Sequence, residues 1–260
     1  SVVATKMQIE QIEALPFVSQ LDLVWRARRS AEPLDETSST VSTHSPRNGA
    51  GTLFDLNYGL SLAQSQLINV PAVHNTGNYG QGVIVGNFDN GFRLLTHQAF
   101  DSLRTRIVAT YDFVDHKASV VPNNSDPGFG SHGIITLSTL AGYRPGELIG
   151  PAFGATFILA RTENDSSETP IEEDNWLAAI EWADSIGVDV TSTSLGYLSY
   201  DPPYTSWTWQ DMNGNTTLIT RAADMAVGKG IVVLNSAGNN GLSSSNNTLN
   251  APADGDSVLA

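Results

Sequence analysis

Five short apolar runs, separated by helical or polar stretches, constrain the fold of this chain more than any other feature. They are "GVIVGNF" (82–88), "RIVATYDF" (106–113), "ATFILA" (155–160), "GVDVTSTS" (187–194) and "GIVVLNSAG" (230–238). Each is short for a helix and carries β-branched or aromatic residues, so each reads as a buried strand. Two intervals carry helix signals. In "TPIEEDNWLAAIEWADSIG" (169–187), Thr169 is placed as N-cap and Pro170 as the first helical residue. Glu172 closes a capping box and Gly187 is the stop. "LITRAADMAVGKG" (218–230) is a second helical stretch that also ends in Gly. Strands that are apolar along their whole length must be covered on both faces. The expectation is an α/β fold: a doubly wound, mostly parallel sheet with helices on both faces. Ligands of such sheets gather beyond the carboxyl ends of the strands.

Residues 1–30 read as a separate small unit. "TKMQIEQIEAL" (5–15) spaces Ile9, Ile12 and Leu15 three apart, as a short amphipathic helix does. "FVSQLDLVWRA" (17–27) alternates Leu21, Leu23 and Trp25, as a strand does. Residues 31–52 are rich in Ser and Thr, show no period and read as an exposed linker. Residues 53–260 carry the strand–helix alternation and form the main domain.

Lys and Arg number 13 against 27 Asp and Glu, for a formal net charge of −14. Such a surface repels nucleic-acid phosphates and anionic lipid, which sets both aside as partners. There is no Cys, so disulfides, thiolate metal sites and thiol nucleophiles are excluded. No apolar run approaches the roughly 20 residues of a membrane span.

Three chemically loaded residues fall at the ends of the expected strands or just past them. Asp89 follows "GVIVGNF", His132 opens the helix in "SHGIITLSTLAG" (131–142), and Asn239 ends "GIVVLNSAGN". Taken singly, each has a plain structural use as a cap, a buried ring or a turn residue. Taken together on one rim, they suit acyl transfer. The carboxylate fixes the imidazole tautomer, the imidazole moves a proton, and the amide donates to the oxyanion. A helix amino end beneath His132 is expected to disfavour the imidazolium and keep the ring a usable base.

Four motifs in order resemble those of the subtilisin-like serine proteases. "VPAVHNTGNYGQGVIVGNFDNGF" is similar to the Asp motif of that family and "SHGIITLSTLAG" to its His motif. "STSLG" resembles the strand that pairs with the substrate backbone, and "GIVVLNSAGNNG" the oxyanion-asparagine motif. The resemblance implies a serine endopeptidase that acts on peptide or protein substrates and needs no cofactor. Asp89, His132 and Asn239 are implied as catalytic. Ser194, Leu195 and Gly196 are implied as the substrate-pairing edge, with Gly196, Ser236 and Gly238 walling the pocket before the scissile bond. "IEQIEALPFVSQLDLVWRARRS" resembles the end of an inhibitory propeptide. Residues 1–30 are then an intramolecular inhibitor and 31–52 the maturation junction. Secretion, or display at the cell surface, follows from the same resemblance.

Two departures stand beside the catalytic residues: Asn90 where the family usually has Ser or Thr, and Ile134 where Thr usually follows Gly. The family's nucleophile lies in a Gly-Thr-Ser motif beyond the oxyanion asparagine, and none occurs here. The expectation is therefore a fragment, cut at both ends and inactive alone. The alternatives are a non-catalytic relative that serves as a binding or scaffold domain, or an unrelated doubly wound domain in which Asp89 accepts phosphate or ligates a metal. Calcium is possible, with Asp and Asn groups near 112–126 and 201–215 as weak candidates. His44, His74, His97 and His116 are expected to be surface or packing residues. The aromatic stretch 197–215 either extends the cleft wall or, as favoured, packs on itself.

Overall fold

The computed structural model describes residues 5–16, 18, 54–123, 130–239, 241 and 248–260. His44, the linker expected at 31–52 and all but Val18 of the strand expected at 17–27 lie outside the described residues. Helix α1 (Lys6–Glu13) forms where the three-residue spacing placed it, and Thr5 and Gln8 cap it reciprocally. None of its residues is buried.

The main domain opens with α2 (Leu62–Leu67) and α3 (Val70–His74). There follow β1 (Ile84–Asp89), β2 (Ile107–Asp112), α4 (Ser131–Ala141) and a small hairpin, β3 (Tyr143–Arg144) with β4 (Leu148–Ile149). Next come β5 (Thr156–Arg161), α5 (Ile171–Ile186), β6 (Val190–Thr193), α6 (Leu218–Gly228) and β7 (Val232–Asn235). The five longer strands form one sheet in the order β2-β5-β1-β6-β7, and every neighbouring pair is parallel. The expected doubly wound sheet is present, with β1 in the middle.

Strand periodicity divides the core. Phe88 of β1 and Ile158 and Ala160 of β5 face α5 and α6, against Trp176, Ala179, Ile219 and Ala223. Val85 of β1 and Phe157 and Leu159 of β5 face the other way, against Leu137 and Ala141 of α4. Two residues on from Val85 is Asn87, and two more is Asp89. The period of two therefore sends Asp89 to the α4 side, at the carboxyl end of the middle strand. All the core residues just named are 4% exposed or less, which is why those positions read as parts of buried strands.

Helix α5 begins one residue later than its signals suggest. Pro170 sits in the capping position and makes no side-chain cap. Glu172 Oε2 still accepts from the Thr169 backbone N–H at 3.0 Å, so half of the capping box exists. The Thr169 hydroxyl is buried without a hydrogen bond among the described residues. His74 is a packing residue: it is buried, lies 2.6 Å from the Tyr58 hydroxyl and 2.9 Å from the Pro151 carbonyl. The aromatic stretch packs partly on itself, with the Trp207 N–H on the Leu198 carbonyl at 2.8 Å. It also packs on α5, where Tyr200 and the Trp207 indole both donate to Glu173.

Candidate active site

The chain leaves β1 through Asp89, Asn90 and Gly91 and returns beneath that turn as α4. The two segments are in contact because both carry glycine where they meet. A Cβ on Gly133 would overlap the Gly91 carbonyl oxygen and stand 3.0 Å from Asp89 Cβ. Gly130, with φ of +67°, starts the helix at a place where a side chain would strike Gly91 and Pro122. Gly133→Ala is therefore expected to push α4 off the Asp89 turn. The expected loss is about 1–3 kcal/mol, the usual cost of overpacking. Urea denaturation checks this; an unchanged midpoint would contradict it.

This close approach puts His132 against Asp89. The imidazole Nδ1 lies 2.7 Å from Asp89 Oδ1. The carboxylate can only accept, so Nδ1 carries the proton and donates. Asp89 is fully buried and takes two more hydrogen bonds, from the Asn90 backbone N–H at 2.8 Å and the Thr136 hydroxyl at 2.9 Å. Thr136 stands four residues beyond His132 and so on the same helical face. Ile134, one of the two departures, packs into the core cluster under α4. The His132 side chain is 48% exposed, which leaves Nε2 for the solvent side.

The electrostatics reverse one expectation. The helix amino end does not set the charge preference of His132. Its pKa is raised, because the Asp89 hydrogen bond and the charges of Asp89 and Asp165 favour the imidazolium and outweigh burial. Asp165, in the loop after β5, has its own carboxyl raised, chiefly by burial and also by the charge of Asp89. Arg161 offsets part of this acidity. It is 1% exposed and pairs in register with Asp89 across β5 and β1. Its Nε donates to the Asn90 carbonyl at 3.2 Å, and its Nη1 to Asp112 at 3.1 Å and Asp115 at 3.0 Å.

The other expected residues lie at the carboxyl ends of β6 and β7. Ser194, Leu195 and Gly196 follow β6; Ser236, Gly238 and Asn239 follow β7. The two ends are tied together. Asn235 Nδ2 donates to the Leu195 carbonyl at 2.8 Å, and Ser236 N–H to the Thr193 carbonyl at 3.0 Å. Gly196 and Gly238 both abut Asn250: an added Cβ would stand 2.8 Å from Asn250 Cβ at the first and 2.9 Å from its amide carbon at the second. Asn250 thus packs against both strand ends, and its buried side-chain oxygen has no hydrogen-bond partner among the described residues. Asn239 is exposed. Thr136 was within reach of helical spacing from His132. Asn250 and Asp165 carry no local signal.

Among the described residues of the two stretches suggested for calcium, several carboxylates have partners within the chain. Asp112 and Asp115 take Arg161 and Lys117, and Asp211 takes Thr208. A tighter oxygen cluster lies elsewhere: Glu163, Glu168 and Glu172, with carboxylate oxygens within 4.8 Å of one another. Burial and mutual repulsion raise the Glu163 and Glu172 carboxyls well above the usual range.

Comparison with known proteins follows the same lines. Residues 80–260 match the model of the subtilase family, Peptidase S8. The chain is 29% identical over 194 residues to Subtilisin DY of Bacillus licheniformis, covering 75% of this chain and 61% of that protein. It is 30% identical over 207 residues to Subtilisin E of Bacillus subtilis strain 168, covering 78% and 45%. The chain therefore spans between about half and three-fifths of these relatives. Among solved structures, a mutant of the protease domain of PatA superposes with a TM-score of 0.50 at 17% identity, over 70% of this chain and 58% of that one. The prenylagaramide maturation protease PagA gives 0.50 and 17%, over 73% and 56%. At that identity these two speak for the fold alone. The fold, the ordered motifs and a family match over most of the main domain agree: the chain belongs to the subtilase family.

Proposed function

We propose that this chain is the Asp- and His-bearing part of a secreted serine endopeptidase, made as an inhibited precursor and acting on peptide or protein substrates. One observation carries the reading: a buried, triply hydrogen-bonded carboxylate holds Nδ1 of a half-exposed imidazole at 2.7 Å, at the carboxyl end of the middle strand. With Nδ1 protonated, Nε2 is the free base. It takes the proton of a serine hydroxyl supplied by the remainder of the parent protein, then returns it to the leaving amine. Asp89 stays ionised and stabilises the imidazolium. Ser194, Leu195 and Gly196 offer backbone groups to an extended peptide. Gly196, Ser236, Gly238 and Asn250 shape the pocket for the residue before the scissile bond. No cofactor takes part in this chemistry. Residues 1–30 act as the intramolecular inhibitor. The bacterial subtilisin relatives support secretion, and among the described residues no helix is long and apolar enough to cross a membrane.

Because the hydrogen bond to Asp89, and then its charge, raise the His132 pKa, the acid limb of kcat/KM is expected above the ordinary histidine value. Activity is lost as pH falls through it, because the imidazolium cannot accept a proton. A pH profile on one peptide checks this, and a limb at or below the ordinary value would contradict it.

Asn239 donates its amide to the oxyanion. Asn239→Leu in the complete parent protein removes the donor and keeps much of the volume. Turnover is expected to fall by about 10²–10³ with little change in KM. A variant that keeps its turnover and loses substrate affinity would make Asn239 a binding residue instead.

A further inference from the structure

Helix α4 lacks a cap of its own. Its capping position is Gly130, which has no side chain to accept from the first turn and no room for one. An N-cap side chain ordinarily accepts from the second or third backbone N–H of the helix. Here the third N–H, that of Gly133, donates to Asn90 Oδ1 at 3.0 Å. The cap comes from another element, and it binds the residue next to His132. Asn90 is 4% exposed, so this amide is a fixed part of the site.

The amide has two possible orientations, and only one of them caps. Asn90 Nδ2 donates to both oxygens of Asp165, at 2.9 and 3.2 Å. A carboxylate cannot donate to Oδ1, so Asp165 holds Nδ2 on its own side and turns Oδ1 toward Gly133. The Asn90 carbonyl is held in turn by Arg161 Nε at 3.2 Å. We propose that Asn90 and Asp165 form a positioning latch for His132, with Asn90 capping α4 across the site and Asp165 fixing the capping orientation. Asn90 stands where the resembled family usually has Ser or Thr. A hydroxyl there would have to accept and donate through a single oxygen, whereas the amide presents its acceptor and its donor on separate atoms.

The latch also carries charge. The acidic groups facing His132 are Asp89 from β1 and Asp165 from the loop after β5, and both favour its imidazolium. Asp165 itself faces Asn90, Arg161, Asp89 and His132. Glu163 lies behind, within electrostatic reach of Asp165 and Asp89.

The turnover part of the test rests on the serine endopeptidase reading; the spectroscopic part does not. In the complete parent protein, Asp165→Asn keeps an acceptor for Asn90 Nδ2 and removes the charge, whereas Asp165→Ala removes both. The His132 imidazole is titrated by NMR in each, and exchange of the Gly133 amide is followed. The midpoint of His132 is expected at lower pH in both variants. Gly133 exchange is expected to quicken in Asp165→Ala and in Asn90→Ala but much less in Asp165→Asn. Where turnover is measurable, Asn90→Ala is expected to lose about 10- to 100-fold in kcat with KM little changed, the scale of a small misplacement of a catalytic group. Asp165→Asn is expected to retain more turnover than Asp165→Ala. An unmoved His132 midpoint together with unchanged Gly133 exchange in both Asp165 variants would overturn the latch. If the parent lacks peptidase activity but these two signals move as stated, the latch stands and the endopeptidase reading falls.

Discussion

Asp89→Asn in the complete parent protein is expected to lower turnover by about 10⁴-fold, the usual size for loss of a triad carboxylate. The substitution changes almost no volume. What changes is the tautomer. Asp89 Oδ1 accepts from His132 Nδ1 while Oδ2 accepts from the Thr136 hydroxyl. An amide has one acceptor and one donor end, so it cannot serve both partners as they stand. An amide donor turned toward Nδ1 drives the imidazole proton to Nε2, where the serine proton has to go. The loss is therefore expected in kcat, with KM little affected. Steady-state kinetics on one peptide, with circular dichroism to confirm folding, checks this. A variant with turnover within about tenfold of the parent would remove Asp89 from the chemistry.

Arg161→Met is the substitution expected to cost most stability. The guanidinium is 1% exposed and Asp112 is fully buried. Removing one partner of a buried ion pair leaves the other charged and desolvated, which costs about 3–5 kcal/mol. Lys117 Nζ remains 3.7 Å from Asp112, so the lower end, about 3 kcal/mol, is expected. The Asn90 carbonyl loses its donor at the same time, which loosens the turn that carries Asp89. Urea denaturation at neutral pH measures the loss. A change under about 1 kcal/mol would mean that Met packing compensates for the pair.

The strands were legible because their buried positions carry large or β-branched apolar residues, and Phe88, Ile158 and Val233, each 1% exposed or less, are such positions. Asp89 was legible as the polar residue on which such a run stops. The start of α5 was misplaced by one residue, because Pro170 can occupy the capping position as well as the first turn, and the box was satisfied from the Glu172 side alone. The direction in which its surroundings bias His132 was misjudged for a different reason. A helix end is a weak and distant influence beside a carboxylate 2.7 Å away. Asn90 and Asp165 were invisible as a pair. They lie 75 positions apart, and only the meeting of β1, β5 and α4 brings them together. Asn250 was equally hidden, since its contacts with Gly196 and Gly238 join segments that leave no spacing to read.

Covalent labelling of the complete parent protein by a serine-directed acylating probe tests the central claim most directly. The Asp89–His132 pair is held to activate a serine outside residues 1–260. The prediction is labelling of one serine outside this stretch, at a rate that falls sharply in His132→Ala while the folded state persists. Labelling that proceeds equally well in His132→Ala, or a folded, mature parent that takes no label, would contradict it and leave a subtilase domain that binds rather than cleaves.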